Sequence, residues 1–197
     1  MLMYVKVITV GTPYNEKSDS IEYSQLKRSL DLVVPYLKLN DILILKSTVP
    51  LGTTMGMVKS KIESSGFSVP EYICLAFSLE RMIEGQAIID FRSLPKMIGA
   101  LDDRLFGIMR YTINELGEKI ISVSNPETAG TVKMFENYLR CVFPGLVNEL
   151  DLACEKIVVD ALGVIKSANE DYPRNSGLLL SGHGVGGPWL NKDPLIL

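Results

Sequence analysis

Hydrophobic positions recur along the chain with two periods, and the change falls near Ser124. Before it, short apolar runs alternate with amphipathic stretches. Tyr4–Val10, Ile42–Leu45, Tyr72–Ala76, Lys96–Gly99 and Lys119–Val123 read as strands. Between them, Ile21–Leu39 places Tyr23, Leu26, Leu30, Val33 and Leu37 on one helical face. A loop over Ser47–Thr54 opens a helix lasting to about Ser65, and Leu101–Leu116 reads as another. Ile42–Leu45 is apolar at every position, the pattern of a strand buried on both faces of a parallel sheet. The alternation predicts an α/β unit with a mostly parallel sheet over residues 1–124.

From Asn125 onward no strand pattern appears. Val132, Phe135, Leu139, Val142, Leu146, Leu150, Ala153 and Ile157 follow at gaps of three or four, one face of a helix over Glu127–Ile157. Lys133, Asn137, Arg140, Pro144, Asn148, Asp151 and Glu155 form a second stripe roughly 160° away at ~100° per residue. That arrangement predicts a buried apolar side and a polar side. Asn125 suits the N-cap, Pro126 the first helical position and Glu127 the positive helix end, while Pro144 predicts a kink. A second helix follows over about Asp160–Asn169, so residues 125–197 form a helical domain after the α/β one.

Composition narrows the function classes. With 47% hydrophobic and 22% charged residues the chain is of ordinary globular type, and a net charge of −3 supplies no basic field for nucleic acid or anionic lipid. No run is long enough to span a membrane. Three cysteines, Cys74, Cys141 and Cys154, without a Cys-x-x-Cys spacing point to a reduced, cytoplasmic protein. The single histidine, His183, argues against a histidine metal site or a Ser-His-Asp triad, and no metal is expected.

Two local patterns carry chemistry. Lys133 and Asn137, four residues apart on one helical face, are a cation and a neutral amide able to hold a developing oxyanion; taken alone they read equally as solvated surface residues. Glu80 and Glu84 likewise read alone as an exposed helical pair. Gly182-His183-Gly184-Val185-Gly186-Gly187 matches G-x-G-x-x-G, but Pro188 follows at once. No helix or second strand is available there to receive a pyrophosphate, so the match is refused as a dinucleotide fingerprint.

In order, the chain carries Gly11-Thr12-Pro13, Ser47-Thr48-Val49-Pro50-Leu51-Gly52-Thr53-Thr54, Glu80-Arg81 with Glu84-Gly85, Lys133 with Asn137, Asn148-Glu149, Gly184-Val185-Gly186-Gly187-Pro188 and Lys192-Asp193-Pro194. The set resembles the UDP-glucose/GDP-mannose dehydrogenase family, in particular the branch that oxidises UDP-N-acetylmannosamine or UDP-N-acetylglucosamine. The resemblance implies a Rossmann-type cofactor domain, a helical domain that forms a homodimer through the 127–157 helix, NAD as cofactor and a UDP-sugar as substrate. It implies that Thr12, Thr48 and Lys192 serve the cofactor, that Glu80 orders a water, that Lys133 and Asn137 stabilise the oxyanion, and that Asp193 assists proton transfer.

The departures from the family pattern are as informative. The family's nucleophilic cysteine follows the Gly-Gly-Pro of the tail, and here that position is Trp189, whose indole forms no thioester. Leu79 and Ser181 stand where proline is common, and Gly130 where glutamate is usual. The chain matches the middle half of a family member, without the first βαβ unit and its glycine fingerprint or the C-terminal nucleotide-sugar domain. The expectations are therefore a nucleotide-sugar 6-dehydrogenase by descent that is inactive by itself or, as the alternative, a non-catalytic remnant or a dimerisation or partner-binding module, with a separate chain able to supply the missing Rossmann half.

Overall fold

The computed structural model describes residues 4–83, 85–108, 119–171, 179–186, 190 and 192–196. They form two units, Met1–Lys133 with Ile196–Leu197, and Met134–Leu195. Trp189, Glu84 and the Tyr172-Pro173-Arg174 run lie outside the described residues.

The first unit runs β1 (Val5–Ile8), β2 (Tyr14–Asn15), β3 (Ser20–Ile21), α1 (Ser24–Val33), β4 (Ile42–Leu45), α2 (Lys59–Glu63), β5 (Cys74–Ser78), α3 (Ala87–Ser93), β6 (Lys96–Ala100), a helical turn α4 (104–108) and β7 (Ile120–Val123). One sheet has the order β1-β4-β5-β6-β7, and β2 pairs with β3 in a small hairpin. Every neighbouring pair of the large sheet is parallel except β5 with β6. The α/β class expected from the alternation is the one observed.

β4 shows why the apolar run folds this way. Leu43 and Leu45 pack with Leu75, Phe77, Leu26, Leu30, Val58 and Ile62 in one core layer. Ile42 and Ile44 pack with Cys74, Ala76, Ile98 and Leu105 in the other. A strand with no polar face needs cover on both sides, and each fully buried Leu or Ile contributes ~1.5–3 kcal/mol. Cys74 belongs to the second layer, and burial, then the charge of Asp102, pushes its thiol up to about 12.

Several expected boundaries move, each for a local reason. Ile21 pairs in the β2–β3 hairpin rather than opening a helix. The helix ends at Val33 and tightens into a short 3-10 turn, Val34–Tyr36, where Pro35 has no N–H to continue it. Leu26, Leu30 and Leu37 are nonetheless buried as the periodicity predicts. α2 is preceded by a π-helical turn over Thr54–Val58, and the strand expected at Tyr72–Ala76 is displaced to Cys74–Ser78. Of the helix expected over Leu101–Leu116, α4 is the described part.

Two close fits fix the unit. A Cβ on Gly99 of β6 would lie 2.0 Å from the carbonyl oxygen of Asn125, so only glycine lets the chain pass there. Asp41, with no exposed surface, accepts from the amides of Tyr4 (3.0 Å) and Lys38 (2.8 Å) and from the Lys6 ammonium, tying β1 to the turn before β4.

The long helix α5 (Pro126–Lys156) begins in the first unit and continues through Pro144 in the second, followed by α6 (Ala161–Asn169). Asn125 Oδ1 accepts from the Thr128 amide at 2.8 Å, the expected N-cap, and Asp160 caps α6 through the amides of Leu162 and Gly163. The expected burial of α5 is corrected. Phe135, Leu139, Val142, Leu146, Leu150 and Ile157 of the apolar stripe are exposed, whereas Met134, Asn137 and Val147 are buried. The reason lies in the second unit itself, where the tail packs on the polar stripe: Asn137 bonds Asp193, and Asn148 bonds Gly182 through both its amide and its carbonyl. Residues 182–186 carry neither helix nor strand. No helix of the described residues is long and apolar enough to cross a membrane.

Candidate active site

In the first unit the parallel strands β1, β4 and β5 end at one edge, the place where open α/β sheets present ligand-binding loops. Three loops leave it, carrying Thr12, the 46–54 segment and Glu80. The buried Thr12 hydroxyl donates to the Thr48 carbonyl at 2.5 Å, and the buried Ser47 hydroxyl to the Val10 carbonyl at 2.6 Å. These bonds lace the first two loops together, so the structure brings Thr12 and Thr48 into contact.

The helix that follows Thr53 has free N–H groups at its start, an ordinary place for an anion. Here Glu127 takes that place: Oε2 accepts from the Gly52 amide at 2.7 Å and Oε1 from the Met55 amide at 3.2 Å. Gly52, at φ +85°, supplies the left-handed turn that aims its amide outward. Glu127 therefore caps a neighbouring helix. This helix start is thus already taken by a carboxylate.

Glu80 stands two residues beyond β5. Its Oε1 accepts from the amides of Arg81 (2.8 Å) and Met82 (2.9 Å), and its Oε2 lies 2.9 Å from the Lys46 ammonium. Burial alone would push the pKa of this carboxyl up, but the Lys46 bond and the two amides hold it below the ordinary carboxylate value. The buried Asp90 takes the next amide, Ile83, at 2.8 Å, so carboxylates fold the whole 80–83 turn. Lys133 reaches the same residue from α5: its ammonium donates to the Glu80 carbonyl at 2.6 Å. Glu80 and Lys133 are thus together, with contact through the backbone oxygen.

The second unit holds another polar cluster. Asp193 and Asn137 are buried, and the Asn137 amide donates to Asp193 Oδ2 at 2.5 Å. Asp193 Oδ1 is buried, accepts no hydrogen bond among the described residues, and lies 3.6 Å from the Lys192 ammonium. Burial pushes the Lys192 pKa down, against the opposing pull of Asp193. A carboxylate with one oxygen fixed by an amide and the other available beside a cation is suited to receive a donor such as a hydroxyl or a water. Asn137, Asp193 and Lys192 are brought together here; Trp189 is outside the described residues.

Sequence reasoning missed Lys46, Asp90 and the outward reach of Glu127. Only Lys46 carried a usable signal, a cation directly after a fully apolar strand at the carboxyl edge. Asp90 and Glu127 act across turns that no periodicity encodes.

A mostly parallel α/β sheet with its loops at one edge, followed by a long helix, defines a Rossmann-type architecture. Comparison with known proteins makes the class specific. The NAD-binding domain of the UDP-glucose/GDP-mannose dehydrogenase family matches residues 3–131 and its central domain residues 127–197, so the chain belongs to this family, whose cofactor is NAD. It is 31% identical to the UDP-N-acetyl-D-mannosamine dehydrogenase of Campylobacter jejuni, over 95% of this chain and 47% of that protein. The Yersinia pestis enzyme of the same name is 31% identical over 95% of this chain and 46% of its own length. Among solved structures, the UDP-D-ManNAc dehydrogenase of Pyrococcus horikoshii superposes with a TM-score of 0.87 at 28% identity, over 98% of this chain and 45% of that one. The chain spans about half the length of the curated relatives it matches.

Proposed function

We propose that this chain carries the oxyanion-holding and cofactor-flanking segment of an NAD-dependent 6-dehydrogenase acting on a UDP-N-acetylhexosamine, and that alone it turns over no substrate. The observation that carries this reading is the buried Asp193 carboxylate with one oxygen on Asn137 and the other open beside Lys192. In this reading residues 1–124 bind cofactor, with Thr12 and Thr48 on its flank and Lys192 as a further contact, and residues 125–197 are the dimerisation domain. NAD supplies the hydride acceptor. Lys133 and Asn137 hold negative charge on the sugar oxygen, Asp193 accepts its proton, and Glu80 orders a water.

Trp189 supports the lack of turnover. The second oxidation in this family needs a thiolate that adds to an aldehyde carbon, and an indole ring has no such nucleophile. Incubation with NAD and UDP-N-acetylmannosamine is expected to give no rise in NADH absorbance above a blank, and Trp189→Cys alone to restore none. A rise with either chain overturns the inactivity. The site assignment is read separately, by NMR: UDP-N-acetylmannosamine is expected to shift the Asn137 side-chain amide, and an unmoved signal at millimolar ligand sinks the assignment.

The exposed apolar stripe of α5 favours a second role beside the first, a homodimer through that helix. Burying such side chains against a second copy contributes ~1.5–3 kcal/mol each before the cost of association. Sedimentation of a dimer at micromolar concentration is expected, and a clean monomer counts against it.

A further inference from the structure

We propose that Lys46 is a positioning residue of this site, holding the Glu80 carboxylate through the 2.9 Å pair and, through residue 80, the carbonyl on which Lys133 docks. The proposal rests on the reading of Glu80 and Lys133 as functional groups given above.

The backbone makes Lys46 a fixed anchor. Its amide donates to the Ile8 carbonyl at 2.8 Å, one residue past the end of β4, so its Cα is held by the sheet. The parallel register sets Leu45 opposite Phe77, which puts Lys46 opposite Ser78, two residues before Glu80. A lysine side chain from that point spans the gap to the loop after β5. Its side chain is 22% exposed and that of Glu80 32%.

An isolated pair of this exposure would contribute little, since solvent screens it and ordering two long side chains offsets the gain. This pair is not isolated. Glu80 Oε1 is committed to two consecutive amides, Lys46 takes Oε2, and the carbonyl of the same residue receives Lys133. Among the described residues, the charged groups facing Glu80 are Lys46 from the end of β4 on its carboxylate, Lys133 from α5 on its carbonyl and its chain neighbour Arg81. Removing the Lys46 ammonium leaves Oε2 with no cation at that position and frees the side chain that clamps the 80–82 turn. The acceptor for Lys133 then loses its fixed place. Lys46 thus acts on the lysine of α5 through Glu80 and needs no contact with substrate.

The test uses the whole chain with Lys46→Met, Lys46→Gln and Lys46→Arg, and follows the Glu80 carboxyl carbon by NMR as pH is varied. In the starting chain Glu80 is expected to titrate below the ordinary carboxylate value. Both neutral variants should shift it upward and move the Lys133 side-chain signals, and Lys46→Arg should restore the charge and most of the low value. Two neutral substitutions guard against one that fails to fold. Unchanged Glu80 and Lys133 signals in a folded neutral variant overturn the proposal. So does an upward shift of equal size in Lys46→Arg, because a cation of similar reach would then not suffice. Neither NAD nor sugar nucleotide is present, so failure here leaves the proposed function standing, and failure of the Asn137 ligand test leaves this result untouched.

Discussion

The sheet of the first unit and the long helix of the second obey opposite rules of burial. In the sheet, hydrophobic positions are covered: Ile42, Leu43, Leu45, Leu75 and Ile98 have no exposed surface. On α5 the apolar residues Phe135, Leu139, Val142, Leu146, Leu150 and Ile157 are exposed, while Asn137 of the polar stripe is only 3% exposed beneath Asp193. The contrast shows that amphipathicity reports which face a helix must hide without saying from what. In the sheet the covering groups belong to the same unit. On α5 the tail claims the polar side with hydrogen bonds, leaving the apolar side for another surface.

The contrast breaks most sharply in the core. Leu75→Ala removes a side chain packed by both neighbouring strands and helices and is expected to cost about 2–5 kcal/mol, read from the urea midpoint. A loss under about 1 kcal/mol would mean the sheet is as loosely covered as the helix. Gly99→Ala forces a methyl against the Asn125 backbone, which cannot swing aside as a side chain would, and about 1–3 kcal/mol is expected. In the second unit, Asn137→Ala strips Asp193 of its donor while the carboxylate stays buried, and about 1–3 kcal/mol should be lost.

Acid sharpens the comparison from the electrostatic side. For Asp41, burial pushes upward, but the Lys6 ammonium and the amides of Lys38 and Tyr4 win and hold it below the ordinary 3.8. Glu80 likewise sits below its ordinary 4.5. A carboxyl lowered by folding binds its proton more weakly in the native state, so its contribution is complete above the unfolded value. It is lost as pH falls through the folded one. The first unit should therefore lose stability on acidification below about pH 4.5, less steeply in Asp41→Asn, as followed by urea midpoints across that range. The smallest effect on folding is expected at Leu146→Glu on the exposed stripe, within about 0.5 kcal/mol, while sedimentation should show the associated species lost.

Much of this was legible in the residues. The strand–helix alternation gave the α/β class, and continuous apolarity marked β4 as covered twice. Asn125 announced the start of α5 because capping is local. What stayed hidden depends on partners distant in the chain. Ile21 pairs in a hairpin because Tyr14 lies across from it, and the β5–β6 antiparallel pair follows from a connection whose route no period reveals. Residue order singled out Lys133, which bonds the Glu80 carbonyl, and Asn137 and Asp193, which bond each other. It left out Lys46, which matters only because the register carries it to Ser78 and Glu80, and it kept Glu127 on its own helix when its carboxylate caps another.

The raised pKa and full burial of Cys74 have a practical outcome. Thiol-directed reagents attack the thiolate, so near neutral pH they will spare the sheet and modify Cys141 and Cys154, both partly open on α5. With a rise of 1.5 Å per residue, those two sulfurs bracket roughly 20 Å of the helix. A pair of spectroscopic labels can then be introduced without altering a single codon, directly on the segment that carries the exposed apolar stripe.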